Sequence, residues 1–309
     1  AAEAAQSDAE EAKAAAEEAM AEEVAMTDVG TPRHETVVVQ TFDRQSSNPD
    51  QHNYIMNYDI WRGIRELCIG YLWETDTGTG ETIPEVTTGP AEVLDDDHTM
   101  FRITLRDDLL WSDGEPFTAD DVIYTLDTYF GQKDKLTYWG VGTVTGYVKE
   151  YSKIDDYTIE LETTHPAYDI HSVLGVNTWG SSFNIVPKHI FEQQADISEF
   201  RNTQPVCLGP YTMTEFDPSG YWALWERRED WKNSAWGWQG EPKAKYVLYK
   251  DFGTEEKRVL ALTRNLYDVD TFMSPDSIKA AQEYSELAPP WNPKVPSHNM
   301  DDACQYGIL

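Results

Sequence analysis

The apolar positions along the chain follow the spacing of strands in some segments and of helices in others. Thr36–Phe42 is an apolar, β-branched run bounded by a polar loop, and it predicts a buried strand that opens the fold. Ile60–Leu72 carries apolar residues at helical spacing, whereas residues 99–106 alternate as in a half-exposed strand. This mixture of strands and helices predicts an α/β or α+β protein.

Residues 109–130 carry the most complete set of local signals for a helix. Thr118 is a suitable N-cap, and Asp121 three residues later completes a capping box. Phe117 before the cap and Val122 after it form a hydrophobic staple. Because these devices agree with the apolar spacing, the segment predicts a capped helix that begins after Thr118.

The second half of the chain predicts further elements of both kinds. They are a strand at Thr158–Leu161, a strand end at 184–190 followed by Pro187, a hairpin of Leu208–Phe216 and Tyr221–Glu226, a strand at 245–250, a helix at Thr254–Leu266, extended chain at Asp268–Met273 and a short helix at Ser277–Tyr284. The sequence Asp-Pro-Ser-Gly at 217–220 is typical of the turn that joins such a hairpin.

Composition and charge narrow the possible functions. The chain has 309 residues, 24 basic and 55 acidic, so its formal net charge is −31. A nucleic-acid binder needs Lys and Arg against phosphates, and anionic lipid surfaces attract basic segments, so the charge of the chain disfavours both partners. No run of 18 apolar residues is present to span a membrane.

The first 26 residues differ from the rest, with 12 Ala, eight acidic residues and one Lys. Ala and Glu favour helix, but the segment has no wide apolar stripe to pack against a core. We therefore expect an acidic, solvated tether, which suits a protein held at the outer face of the cytoplasmic membrane after an N-terminal signal is removed or lipidated. A tail without a role fits the same composition.

Residues that could carry chemistry do not form recognisable sites. Cys68, Cys207 and Cys304 lack zinc-ligand spacing and allow at most one disulfide, whose existence the sequence leaves open. The seven histidines form no metal motif, no serine-nucleophile elbow is present, and the adjacent carboxylates are typical of solvated strand and helix ends. We therefore predict no catalytic residues, no metal and no cofactor. The 11 Trp residues fit either a core or a ligand cleft.

Several motifs resemble those of one family in the same order along the chain. Residues 105–126 contain W-S-D-G-E-P-F-T-A-D-D-V, which resembles the signature of the family-5 solute-binding proteins of ABC importers, the oligopeptide- and dipeptide-binding group. Residues 185–191 (IVPKHIF), the pair LGPY and WERREDW at 208–231, and residues 258–270 resemble later motifs of that family. The resemblance covers roughly residues 35–309.

This resemblance implies an α/β fold of the type II periplasmic-binding-protein kind (cluster C-like) with a smaller inserted α+β domain. We expect residues 1–34 to be the tether, 35–80 and 183–275 to be domain I, 81–182 to be domain II, and 276–309 to begin domain III. Family members are much longer, so we expect the fold to be incomplete and truncated at the C-terminus, with one wall of the ligand cleft missing.

The resemblance also implies a function. The chain would be a periplasmic or extracellular component, monomeric and not an enzyme, that captures an oligopeptide or dipeptide-like solute for ABC permease subunits. An oligosaccharide is the alternative cargo, a secreted glycoside hydrolase is a weaker one, and a receptor or chaperone on the same scaffold also remains open. The candidate ligand-binding residues are Phe42, Arg44, Trp179, Phe272, Met273 and Ser274.

Overall fold

Three β-sheets organise the part of the chain that the computed structural model describes, which is residues 26–41, 45–56, 62–76, 79–177, 180–270, 273–274, 276–277 and 280. The strands are β1 (Thr36–Gln40), β2 (Trp73–Thr75), β3 (Thr82–Pro84), β4 (Glu92–Val93), β5 (Met100–Thr104), β6 (Val148–Asp155), β7 (Thr158–Thr163), β8 (Val176–Asn177), β9 (Gly180–Ser181), β10 (Tyr211–Phe216), β11 (Trp222–Arg227), β12 (Tyr246–Lys250) and β13 (Val269–Asp270). The helices are α1 (Ala119–Gln132), α2 (Trp139–Tyr147), α3 (Ile170–Leu174), α4 (Lys188–Phe191) and α5 (Glu255–Thr263).

The largest sheet has five strands in the order β10-β11-β12-β1-β13. The β-branched run of β1 lies at an inner position, with β12 and β13 parallel to it on either side. Val38 and Val39 are buried on opposite faces of this strand, in separate apolar clusters. The prediction of a buried opening strand is therefore confirmed, as is the antiparallel hairpin of β10 and β11.

Two smaller sheets complete the fold, one with the order β3-β2-β8-β9 and one with the order β4-β5-β7-β6. The first of these combines β2 with strands from the segment predicted to be domain II. The proposed division of the chain into domains stays a prediction.

Helix α1 begins where its capping signals indicate. The Asp121 carboxylate accepts a hydrogen bond from the Thr118 backbone N–H at 3.0 Å, and the two residues form a capping box. The staple residues Phe117 and Val122 are fully buried. Asp121 also accepts from the Lys188 N–H at 2.9 Å, so the N-terminus of α1 is joined to α4.

The predicted helix over Ile60–Leu72 is wrong in its extent, because the described part contains only a π-helical turn at Ile64–Cys68. Gly63 before the turn has a left-handed φ of 95°, and the indole of Trp225 packs so closely that a side chain at this position would collide with it. The apolar spacing arises because this segment is buried on several sides, not because the helix continues.

Segment 184–190 also differs from its prediction. The structure has no strand at 184–187, and α4 begins directly after Pro187. The backbone N–H groups of Asn184 and Val186 bond instead to the hydroxyls of Tyr129 and Thr125 on α1. This stretch is therefore held by helix side chains and not by a strand ladder.

The structure settles the cysteine pairing that the sequence left open. Cys68 and Cys207 form a disulfide between residues 139 positions apart. The carbonyl of Cys68 also accepts hydrogen bonds from the Leu208 and Gly209 N–H groups, each at 2.8 Å. The π-helical turn is thereby fixed to the segment that leads into β10.

Candidate functional site

The parallel strands β1, β12 and β13 all end at one edge of the five-stranded sheet, which we call the carboxyl edge. The Thr41 N–H donates to the Lys250 carbonyl at 3.0 Å, and the Gln40 side chain accepts from the Phe252 N–H at 2.9 Å. The Asp251 N–H donates to the Tyr221 carbonyl at 2.8 Å, which adds the turn of the β10–β11 hairpin to this edge. In open α/β sheets, ligands bind outside the carboxyl ends of the strands.

Two of the six predicted ligand-binding residues can be placed at this edge. Met273 and Ser274 follow β13; the Tyr267 hydroxyl lies 4.0 Å from the Met273 sulfur, and the Ser274 N–H donates to the Glu255 carboxylate. The other four predicted residues lie outside the described part of the chain: Phe42, Arg44, Trp179 and Phe272.

The chain on either side of Trp179 belongs to β8 and β9, which lie in the sheet β3-β2-β8-β9 and not in the five-stranded sheet. The structure therefore does not bring this segment together with Met273 and Ser274 in one sheet. A ligand contact for any of the six residues stays a prediction.

A buried ion pair joins helix α5 to strand β13 at the carboxyl edge. Arg258 of α5 donates to both carboxylate oxygens of Asp270, at 2.9 and 3.1 Å, and only 4% of the Asp270 side chain is exposed. The Tyr267 hydroxyl donates to the same carboxylate at 3.0 Å. Burial, together with the negative charge of Asp270, raises the pKa of Tyr267. The pair fixes the end of β13 against α5 just before Met273.

Ser274 is itself held by α5. The hydrogen bond from its backbone N–H is the largest of the effects that lower the pKa of Glu255. The Ser274 and Ser277 hydroxyls lie 3.2 Å apart, so Ser274 is oriented by neighbours on both sides.

Sequence reasoning missed Thr41, which directly follows β1. Its side chain is buried, and its hydroxyl has no hydrogen-bond partner among the described residues. A buried hydroxyl without a partner calls for an explanation, and in open α/β sheets ligands bind at the end of the strands where Thr41 lies. The only signal in the sequence was that Thr41 stands at the end of the predicted strand.

The loop that continues from this edge, at residues 45–56, is rich in buried polar groups. Ser46 donates through its N–H to the Gly220 carbonyl at 2.8 Å, beside the hairpin turn. The Asn53 amide donates to the carbonyls of Ile197 and Phe200 at 2.8 and 3.0 Å. These hydrogen bonds hold the loop in place beside the carboxyl edge. Burial lowers the pKa of His52, which lies in this loop.

Neither a metal-binding cluster nor a membrane-spanning helix is found in the described part of the chain. Within the described residues, no group of three or more His, Cys, Asp or Glu side chains could hold a metal ion. In the same part of the chain, no helix is both long enough and apolar enough to cross a membrane.

Comparison with known families identifies the scaffold. The model of the bacterial extracellular solute-binding proteins, family 5 (middle region), matches residues 81–300, which is more than half of the chain. The chain belongs to this family. The resemblance carried by the motifs at 105–126, 185–191 and 208–231 is thereby confirmed.

Relatives of this family-5 chain include Protein XP55 of Streptomyces lividans, which is 31% identical over 189 residues, or 60% of the chain and 31% of that protein. The oligopeptide-binding protein AppA of Bacillus subtilis is 23% identical over 245 residues, or 74% of the chain and 39% of AppA. The chain therefore spans between three and four tenths of the length of these relatives.

Solved structures show the fold. The periplasmic oligopeptide-binding protein of an ABC transporter from Thermotoga maritima superposes with a TM-score of 0.68 at 21% identity, over 82% of the chain and 44% of that structure. AppA of Bacillus subtilis in complex with a nonapeptide gives 0.64 at 19% identity, over 81% of the chain and 46% of AppA. The predicted mixed α/β fold of the type II periplasmic-binding-protein kind is confirmed for the part that the chain spans.

Proposed function

We propose that this family-5 chain captures a solute outside the cytoplasm and presents it to the permease subunits of an ABC importer, without making or breaking a bond in the solute. Membership of a solute-binding family supports the binding role. The Cys68–Cys207 disulfide supports an extracytoplasmic location, because such bonds persist in oxidising compartments. The acidic segment 1–34 would tether a monomer to the outer face of the membrane.

The observation that carries the proposal is the convergence of β1, β12 and β13 on the carboxyl edge. The solute would lie along this edge, held by main-chain groups and by Thr41, Met273 and Ser274. Phe42, Arg44 and Phe272 follow the same strands in the sequence and would extend the contact surface. Trp179 would contribute from a separate segment. Main-chain hydrogen bonds suit an extended ligand with variable side chains.

An oligopeptide is the cargo we propose first. The names of AppA and of the Thermotoga maritima protein describe oligopeptide-binding proteins, and AppA was solved with a nonapeptide. An oligosaccharide is the second candidate, because the Thermotoga maritima protein was also solved with mannohexaose bound. A glycoside hydrolase has no comparable support.

Purification of the full chain from its own cells, followed by mass spectrometry of the bound small molecules, tests the cargo. The proposal predicts a mixture of peptides. A bound oligosaccharide would replace the peptide assignment with the second candidate, and hydrolysis of added glycosides by the purified protein would contradict a purely binding role.

Titration calorimetry with a nonapeptide and with mannohexaose then tests the site. Thr41→Val and Ser274→Ala each remove one hydroxyl, and we expect each to weaken binding of the preferred ligand by about two- to tenfold. Ser152→Ala is the matched control, because Ser152 is exposed on β6 in a different sheet. Equal affinities for all three variants and the unaltered protein would overturn the placement at the carboxyl edge.

A further inference from the structure

A cavity of about 590 Å³ opens at the opposite edge of the same sheet, where the strands β1 and β12 begin. We call this the amino edge. Residues 34–37 and 242–244 form one side of the cavity, and the π-helical turn forms another. Its volume is in the range of small-molecule sites. Neither Met273 nor Ser274, the two predicted ligand-binding residues that the structure describes, lines it.

Three buried polar atoms among the lining residues form no hydrogen bond of ordinary length within the described part of the chain: Oε2 of Glu66, Oε1 of Glu85 and Nε1 of Trp236. The Trp236 side chain is nevertheless close enough to Glu85 to lower the pKa of that carboxyl group. Glu85 is 1% exposed, and its other oxygen accepts from the Tyr71 N–H at 2.9 Å, which fixes the direction of the carboxyl group. Buried polar groups in native proteins are nearly always paired, so polar atoms that lack hydrogen bonds beside a cavity call for an explanation, and a bound ligand would supply one.

The charges of the cavity favour a cation. Glu66, Glu74 and Glu85 contribute three carboxyl groups from three different segments, against one guanidinium, that of Arg65. The lining also includes Glu35 and Glu241, together with Lys243 and His34. Acidic groups therefore outnumber basic groups around the cavity, within a chain whose net charge is already −31.

The apolar walls favour an organic cation over a metal ion. The Tyr71 hydroxyl donates to the Arg65 carbonyl at 3.1 Å and the Tyr211 hydroxyl to the Ala244 carbonyl at 2.8 Å, so both rings act as apolar surface. Tyr and Trp rings attract ammonium and guanidinium groups. The carboxyl groups are not grouped as metal ligands in the described part of the chain.

We propose that the amino-edge cavity is a second ligand site, which binds a small organic cation with an ammonium or amidinium head and an apolar body. The head lies between the unpaired oxygens of Glu66 and Glu85, and the body packs against Tyr71, Tyr211 and Trp236. This site is independent of the solute proposed for the carboxyl edge.

The protonation of the carboxyl groups supports this arrangement. Burial raises the pKa of Glu66 and, together with the charge of Glu74, raises that of Glu85. Arg65 opposes the effect at Glu66, and Trp236 and the Tyr71 N–H oppose it at Glu85. A bound cation favours the ionised form, so binding should release protons and strengthen as the pH rises.

Benzylammonium and benzamidinium are suitable probes, and benzyl alcohol is a neutral analogue of similar shape. Titration calorimetry of the full chain should give binding of the two cations that is at least roughly tenfold tighter than that of the alcohol. Repeating the benzylammonium titration in two buffers of different ionisation enthalpy measures the protons released. Equal affinity for the neutral analogue, or no binding by a folded protein, would overturn the proposal.

Variants locate the binding. Glu85→Gln and Glu66→Gln keep the shape of the side chain, and each should weaken benzylammonium binding by roughly tenfold or more. Glu150→Gln, at an exposed position on β6, is the control and should bind as the unaltered protein does. Trp236→Phe keeps an aromatic wall but lacks the indole N–H, so it tests the site again if a Glu variant unfolds. Thermal unfolding checks that each variant is folded.

Competition with the proposed cargo separates the two sites. A nonapeptide or mannohexaose at saturation should leave benzylammonium binding unchanged, and failure of either solute to bind would not affect the amino-edge result. Displacement of benzylammonium by the solute would contradict an independent site.

Discussion

The two edges of the five-stranded sheet differ in how their buried polar groups are satisfied. At the carboxyl edge, Asp270 is paired with both Arg258 and Tyr267, and the Thr41 hydroxyl has no partner among the described residues. At the amino edge, two carboxyl oxygens and one indole N–H of the residues that line a cavity form no hydrogen bond of ordinary length within that same part of the chain. The contrast indicates that one edge supports a surface for a large, variable solute, whereas the other encloses a small charged ligand.

Loss of the disulfide should have the largest effect on the free energy of unfolding. The disulfide holds the π-helical turn, which lines the cavity at the amino edge. Replacing Cys68 and Cys207 together by Ala removes a link between residues 139 positions apart, and loop-closure entropy predicts a loss of about 5 kcal/mol in the free energy of unfolding. Denaturant unfolding measures the loss. An unchanged unfolding midpoint would show that the bond does not hold the π-helical turn in place.

Removal of the Asp270 carboxylate should have the next largest effect, at the carboxyl edge. Asp270→Ala leaves the Arg258 guanidinium buried without its partner and should lower the free energy of unfolding by about 3–5 kcal/mol. Glu160→Gln is the control, because it breaks the more exposed pair with Arg102 and should lower stability far less. Losses of similar size would contradict the role of the buried pair.

Changes in pH should act in opposite directions at the two edges. The folded-state pKa of Glu85 is raised above its ordinary 4.5 by burial, so its contribution to stability is present below that pH and is lost as the pH rises. The folded-state pKa of Glu255 is lowered by the Ser274 N–H, so its contribution is present above 4.5 and is lost as the pH falls.

Unfolding of Glu85→Gln measured across this pH range isolates the amino edge. We expect the variant to lose less stability than the unaltered protein as the pH rises above 4.5. Glu150→Gln should retain the original dependence. Identical pH profiles for Glu85→Gln and the unaltered protein would contradict burial of a protonated carboxyl group.

The smallest expected effect on the free energy of unfolding comes from a residue that lies outside both edges, and it serves as a comparison for the larger effects. Thr118→Ala removes the N-cap of α1 and should lower the free energy of unfolding by about 1 kcal/mol. Ligand binding at either edge should be unchanged. A loss of binding would mean that the two edges depend on the N-terminus of α1.

Local signals predicted the elements whose structure is determined locally. The capping box of Thr118 and Asp121 and the turn at 217–220 each act over a few residues, and both elements form where the sequence indicates. The parallel pairing of Thr36 with Tyr246 joins residues far apart in the chain, and nothing in either segment specifies the other.

How far each candidate site could be predicted from the sequence depended on how much it relies on contacts between distant segments. Arg258 and Asp270 are the two ends of the segment that resembles a family motif, but nothing in the sequence showed that they would pair, because the bond requires α5 to fold back onto β13. Glu66, Glu85 and Trp236 belong to separate segments, and only the folded chain brings them to one cavity. The π-helical turn was missed because Trp225, which is distant in sequence, occupies the space beside Gly63.

Hydrogen exchange of the full chain, with and without its purified natural solute, tests the central claim most directly. The account predicts slower exchange in peptides that span residues 40–46 and 268–274, little change in peptides that span 33–37 and 241–245, and an intact solute at the end of the experiment. Protection confined to the amino edge, or recovery of a cleaved solute, would contradict a non-catalytic binding site at the carboxyl edge.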